Sequence, residues 1–172
     1  MTPPPDVYNL IKTKRAVRRF SQQPISDDIA RTILNAGRLS GSAKNTQPWH
    51  FVAIRQHDTL QALSQCGAYA SHLAGAAMAV ALVTEDPFER LTVPFDLGRA
   101  TQNMMLTAWS HGIGSVMATI YQSAKAAAII KAPASYALPW CVSFGYPAEP
   151  RSGPPRRGGR RPADDVIHWE SW

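Results

Sequence analysis

A chain of 172 residues with 45% hydrophobic and 17% charged side chains can bury one core, and it is no disordered polymer. Its net charge of +6 is local: residues 12–19 and 151–161 hold ten of the eighteen basic residues and no acid, while the rest carries eight basic against twelve acidic residues. The protein is therefore not basic as a whole, and has two local anion sites or one assembled from both.

Residues 2–5 (Thr-Pro-Pro-Pro) form a stiff leader, and with Asp6 they stand where a signal peptide needs basic then apolar residues. Val7, Leu10 and Ile11 are spaced for a short helix that the Lys12–Arg19 cluster closes. Ser26 reads as an N-cap with Asp27 and Asp28 in a favourable first turn, and the helix behind it buries Ile29, Ile33, Leu34 and Gly37. Trp49–Arg55 is strand-like. Asp58 with Gln61 resembles a capping box for a helix carrying Leu60 and Leu63. A short segment, residues 68–74, leads to a strand at Ala77–Thr84.

Residues 94–111 form the best helix candidate, because Leu97, Thr101, Met104, Met105 and Ala108 keep a 3.6-residue rhythm and Gly112 stands at the C′ position. Met104, Met105 and Met117 are expected in the core. Ile113–Thr119 is an apolar strand, Ala124–Lys131 helical by propensity, and Pro139–Gly145 strand-like through Trp140, Val142 and Phe144. The tail from residue 146 is rich in Pro, Gly and Arg and ends on Ile167, Trp169 and Trp172. Such a terminus would be sticky in water, so it is expected to pack on another subunit. The whole chain reads as one domain. No apolar run approaches the ~20 residues of a membrane span. Cys66 and Cys141, without CxxC or metal-like spacing, predict a reduced, cytoplasmic setting.

Chemistry concentrates in the loop Ser40–Phe51. Its small residues let backbone N–H groups approach a ligand, Asn45 and Gln47 offer fixed donors and acceptors, and Pro48 pins φ near about −65°. This is either a slot for a flat, polar-edged ligand or an ordinary helix-to-strand turn. Lys14, Arg15, Arg18 and Arg19 can converge on a phosphate, since Arg gives forked donors and Lys a point charge. The alternatives are a solvated basic turn or a nucleic-acid-binding arm, the latter weakened because no aromatic residues interleave with the cations. Arg156–Arg161 invite the same readings. No histidine pair shows metal spacing, and each histidine is expected to be structural and satisfied. No G-x-G-x-x-G, P-loop or G-x-S-x-G motif occurs. With no catalytic side chain standing out, a cofactor that carries the reaction is favoured.

Together these segments resemble the FMN-dependent nitroreductase family over nearly the whole chain. Residues 14–20 (Lys-Arg-Ala-Val-Arg-Arg-Phe) are similar to the family's Arg-Arg-Ser-x-Arg-x-Phe opening. Residues 41–49 resemble its Pro-Ser-Ser-x-Asn-x-Gln-Pro-Trp loop. Asp96-Leu97-Gly98 through Gln102-Asn103-Met104, then Gly112-Ile113-Gly114-Ser115, are similar to its central helix and following strand, and Phe144-Gly145-Tyr146-Pro147 fits its close.

The resemblance implies an α+β fold with a central, mostly antiparallel sheet flanked by helices, and an intertwined homodimer whose C-terminal tails exchange. It implies FMN at the subunit interface and NAD(P)H as electron donor, with electrons passing to a nitroaromatic, quinone or related acceptor. Lys14, Arg15, Ala16 and Arg18 would hold the phosphate and ribityl end with Arg160 or Arg161. Ser42, Ala43 and Asn45 would meet the flavin from the partner chain, and Met117, Ala118 and Thr119 would border the ring. Ala16 stands where the family has Ser and removes a hydroxyl donor, while Gly41 replaces Pro and Ala43 a second Ser. Residues 64–94 leave little room for a substrate-covering excursion, which implies an open pocket. A non-catalytic flavin or nucleotide binder is the alternative. Neither nucleic acid nor membrane is expected as a partner.

Overall fold

The computed structural model describes residues 6–149 and 159–172. The 2–5 leader and Arg151, Arg156 and Arg157 of the tail cluster lie outside the described residues.

Helix α1 (Val7–Thr13) starts where the Asp6 side chain accepts from Tyr8 N–H, and ends at Lys14. Helix α2 (Asp27–Arg38) has the expected cap: Ser26 Oγ accepts from Ile29 N–H at 3.4 Å, with Asp27 and Asp28 in the first turn. Ala30, Ile33 and Gly37 are buried, with Ile29 and Leu34 half-buried beside them. Strand β1 is His50–Ile54 and helix α3 His57–Ser64. The expected capping box does not form there. Gln56 occupies the cap position without a side-chain bond, and Asp58 lies inside the first turn, where a carboxylate favours the helix N-terminus in either register.

Strand β2 (Met78–Thr84) is buried at every position. Helix α4 (Thr92–Ser110) follows the predicted rhythm, with Leu97, Ala100, Thr101, Met104, Met105 and Ala108 inside. Gly112 stops it with φ 73°, a backbone state that costs glycine nothing. Strand β3 (Gly114–Thr119), helix α5 (Ser123–Ile129) and strand β4 (Ala137–Gly145) complete the fold.

The four strands form one antiparallel sheet in the order β1-β2-β4-β3. One face carries Met78, Val80, Leu82, Val142 and Phe144 against Ile33 of α2 and Leu97 and Met104 of α4. The other carries Ala79, Ala81, Val83 and Cys141 against Leu60 and Leu63 of α3 and Ala126 and Ala127 of α5. Helices thus cover both faces of β2 and β4, which explains why β2 reads as a continuous apolar run.

Met117 departs from the expected core position. It lies opposite Val142 on the α4 side of the sheet, yet is 44% exposed, because β3 is an edge strand and the helical layer does not reach its outer half. Both cysteines are buried and unpaired, and burial pushes the Cys141 thiol up to about 12. Among the described residues, no helix is long and apolar enough to cross a membrane.

Candidate functional site

Beyond Lys14 the chain leaves α1 and runs along the free edge of β3. Ala16 bridges Ser115 in parallel, Val17 N–H donates to Ser115 O at 3.2 Å, and Phe20 bridges Pro147. Val17 and Phe20 turn inward over glycines. A Cβ at Gly114 would come 2.5 Å from Val17, and one at Gly145 would come 2.8 Å from the Phe20 ring. Two inward anchors leave the cations outward or half-buried between them.

Arg15 Nη1 donates to Lys12 O at 2.8 Å and Lys14 O at 3.1 Å, neutralising the carbonyl end of α1. Lys14 is half-buried, and the loss of water pulls its pKa below the usual lysine value. Arg18 and Arg19 are exposed. Among the described residues, none of Lys14, Arg15, Arg18 and Arg19 has a carboxylate partner. Four cations within six residues, held on a fixed backbone without carboxylate counter-charge among the described residues, can receive an anion.

Beside them β3 exposes an edge. Ile120 N–H bonds Pro139 O at 2.9 Å, so strand alternation directs the backbone groups of Ser115, Met117 and Thr119 away from β4. Val17 N–H takes the carbonyl of Ser115. At the far end Gly67 fits against Thr119 O so closely that an added Cβ would collide with that oxygen. Between Val17 and Gly67 the outward backbone of Met117 has no hydrogen-bond partner among the described residues. Met117 and Thr119 are exposed while Ala118 is buried among the α5-side residues, so the predicted trio can border a ligand only through two side chains and its backbone.

Gly67→Ala is expected to destabilise the fold by about 1–3 kcal/mol, because a backbone oxygen cannot move aside as a side chain can. A urea titration of the variant that matches the parent would contradict that close approach.

Behind the same strands His72 is buried in the turn Ser71–Leu73. Its Nδ1 lies 2.8 Å from Ser143 Oγ, which itself donates to Val116 O at 3.3 Å. With that hydroxyl proton committed, Nδ1–H is the donor to Ser143. The expectation of a satisfied histidine holds for only one nitrogen, since Nε2 is buried without a partner among the described residues. Burial, and then the nearby Arg18 charge, bring its pKa down to about 4, so the ring is neutral.

The loop into β1 is held from α4. Asn103 Nδ2 donates to Ser40 Oγ at 2.7 Å, and Ala43 N–H donates to Asp96 Oδ2 at 2.8 Å. Ser42 Oγ closes the turn by accepting from Gln47 N–H at 2.9 Å. Lys44, Asn45 and Gln47 have φ of 51°, 56° and 49°. Ser42 and Ala43 are half-buried, and Asn45 is exposed. The residue types of Asp96 and Asn103 do not by themselves point to the loop they hold. The available signal was a carboxylate adjoining Leu97 on the face of α4 that the rhythm assigns to the interior.

Residues 159–172 are exposed throughout. They include Trp169 at 87% and Trp172 at 102%, and Arg161 Nη2 turns back to Asp165 O at 2.6 Å. No hydrogen bond or ion pair links Arg160 or Arg161 to residues 14–19 among the described residues. The structure therefore gathers Lys14, Arg15, Ala16 and Arg18 against the β3 edge. It does not bring the tail arginines to them within one chain, and it places Ser42, Ala43 and Asn45 on the loop that leads to the opposite edge strand. A hollow of about 980 Å³ between α2 and β1, lined by Arg31, Arg38, Trp49 and Phe51 among others, takes in Gln47 of the predicted loop but neither the cation run nor Ser42, Ala43 and Asn45.

The family model for the nitroreductase family matches residues 11–66 and 60–146. The chain belongs to the nitroreductase family. A protein of Archaeoglobus fulgidus named for NADH dehydrogenase or NAD(P)H nitroreductase activity is 30% identical over 176 residues, covering 97% of this chain and 99% of that protein. Among solved structures, an FMN-dependent nitroreductase from Clostridium difficile superposes with a TM-score of 0.82 at 20% identity, over 96% of this chain and 99% of its own. The NADPH:FMN oxidoreductase of Vibrio harveyi, solved with NAD+, also gives 0.82, at 22% identity over 96% of this chain and 77% of its own. The two matched segments of this nitroreductase-family chain take in the cationic run, the clamped loop and the whole sheet, while the exposed tail falls outside them.

Proposed function

We propose that the protein is an FMN-dependent oxidoreductase that takes reducing equivalents from NAD(P)H and passes them to a nitroaromatic, quinone or related acceptor. The observation that carries this reading is the set of cations without carboxylate partners, Lys14, Arg15 and Arg18, fixed beside the open β3 edge. The names of the relatives support the same choice of cofactor and donor.

The residues present fit the group. A phosphate needs converging cations without internal counter-ions. The rim of an isoalloxazine ring needs backbone donors and acceptors that no neighbouring strand has taken, which the edge at Met117 supplies. Lys14, Arg15 and Arg18 would hold the phosphate, joined by Arg160 or Arg161, with Ala16 contributing backbone alone. Met117 and Thr119 would border the ring. FMN, when bound, supplies hydride acceptance from a nicotinamide and electron delivery to the acceptor. The chain's own part is to bind, to orient, and to supply donors fixed in advance.

A homodimer completes the site. The loop of Ser42, Ala43 and Asn45 and the cation-lined edge belong to opposite edges of one sheet, so a second copy brings its loop to the first copy's cations. The exposed Val166, Ile167, Trp169 and Trp172 then find cover on the other subunit.

Freshly purified protein is expected to be yellow, absorbing near about 450 nm, with FMN as the released chromophore. It is expected to oxidise NADH or NADPH when a quinone or nitroaromatic is added. Colourless protein that also fails to bind added FMN would overturn the proposal, and bound flavin without turnover would reduce it to a binding protein.

A further inference from the structure

We infer that Asp96 is a positioning residue: its buried carboxylate holds the Ser42–Gln47 loop in a strained form that presents Ser42, Ala43 and Asn45 to a ligand. The ligand's identity rests on the flavin reading above; the state of the loop rests on geometry alone. Lys44, Asn45 and Gln47 all lie in the left-handed region. Asn tolerates that region, but for Lys44 and Gln47 it carries about a tenfold disadvantage each against relaxed backbone. The bond from Gln47 N–H to Ser42 Oγ holds the loop from within, and Asp96 adds the hold from outside.

Asp96 is 2% exposed and is the only buried carboxylate among the described residues. A buried carboxylate persists only when hydrogen-bonded and paired. Here the partners are Ala43 N–H at 2.8 Å, immediately before the kink, and Arg99 Nη1 at 3.5 Å. Arg99 reaches Asp96 by crossing Gly41, where a Cβ would stand 2.6 Å from Nη2. Any side chain at position 41 would displace the guanidinium. The glycine at this position thus leaves room for the half-exposed guanidinium.

The test uses Asp96→Asn, which keeps the side-chain shape and removes the charge. FMN affinity, measured by quenching of flavin fluorescence, is expected to fall about tenfold. Adding Lys44→Gly and Gln47→Gly to that variant is expected to regain most of the loss, because glycine enters the left-handed region freely. Parental affinity in Asp96→Asn overturns the inference, and so does a loss that the glycine pair does not repair. A second readout needs no flavin: tryptic cleavage after Lys44 is expected to be about tenfold faster in Asp96→Asn, since the released loop can enter a protease. Unchanged cleavage there overturns the inference even if the parent protein binds no FMN, an outcome that by itself counts against the flavin reading only.

Discussion

Replacing Lys14 and Arg18 together by alanine is expected to weaken FMN binding at least about 100-fold, because each charge-assisted hydrogen bond to a phosphate contributes about 1.5–3 kcal/mol. Riboflavin, which has the ring without the phosphate, should bind parent and variant alike, and this separates loss of the anion site from general damage. Folding should persist. Neither side chain makes a hydrogen bond or ion pair among the described residues, and the neighbouring Val17 and Phe20 keep their places over Gly114 and Gly145. Equal FMN affinity in the double variant would mean that the phosphate lies elsewhere.

Acid should unfold the protein through His72. The ring is neutral in the fold with a pKa of about 4, against 6.5 for an unperturbed histidine, so the unfolded chain takes up the proton first. The stability this represents is fully present above pH 6.5 and is lost as pH falls from there through about 4, and it amounts to about 3 kcal/mol. His72→Asn removes the titration while leaving a polar group for Ser143. Its urea stability should therefore fall less than the parent's over that interval, by about the same 3 kcal/mol. Parallel pH profiles for the two proteins would refute this account. Arg18→Ala provides a cross-check, because removing that charge lets the His72 pKa rise and shrinks the acid loss.

Local signals in the sequence carried the elements. Ser26 and Gly112 mark real helix ends, and the Leu97–Met104–Ala108 rhythm names the buried face of α4. The Asp58–Gln61 pattern misled because a carboxylate in a first turn and one at a cap are equally favourable to a helix and equally visible in sequence. Strand order was not legible, and Met117 shows the consequence: apolar type and strand context suggested burial, while an edge position with no helix above it gave exposure. The cation run and the loop could be picked out by type and by resemblance. Asp96 could not be assigned to the loop, because its partner Ala43 lies 53 residues away and accepts no side-chain logic: the bond goes to a backbone N–H. Likewise the left-handed backbone of Lys44 and Gln47 runs against their residue type, so only the fold reveals it.

The seating of residues 15–21 on Ser115, Tyr146, Pro147 and Ala148 has a kinetic corollary. This run is made well before the segments it docks on, so it must wait for them before finding its place. Contacts of such sequence separation slow folding and leave early segments open to chaperones and proteases meanwhile. A nascent chain stalled before residue 114 would accordingly carry its Lys-Arg run with nothing yet made for it to lie against.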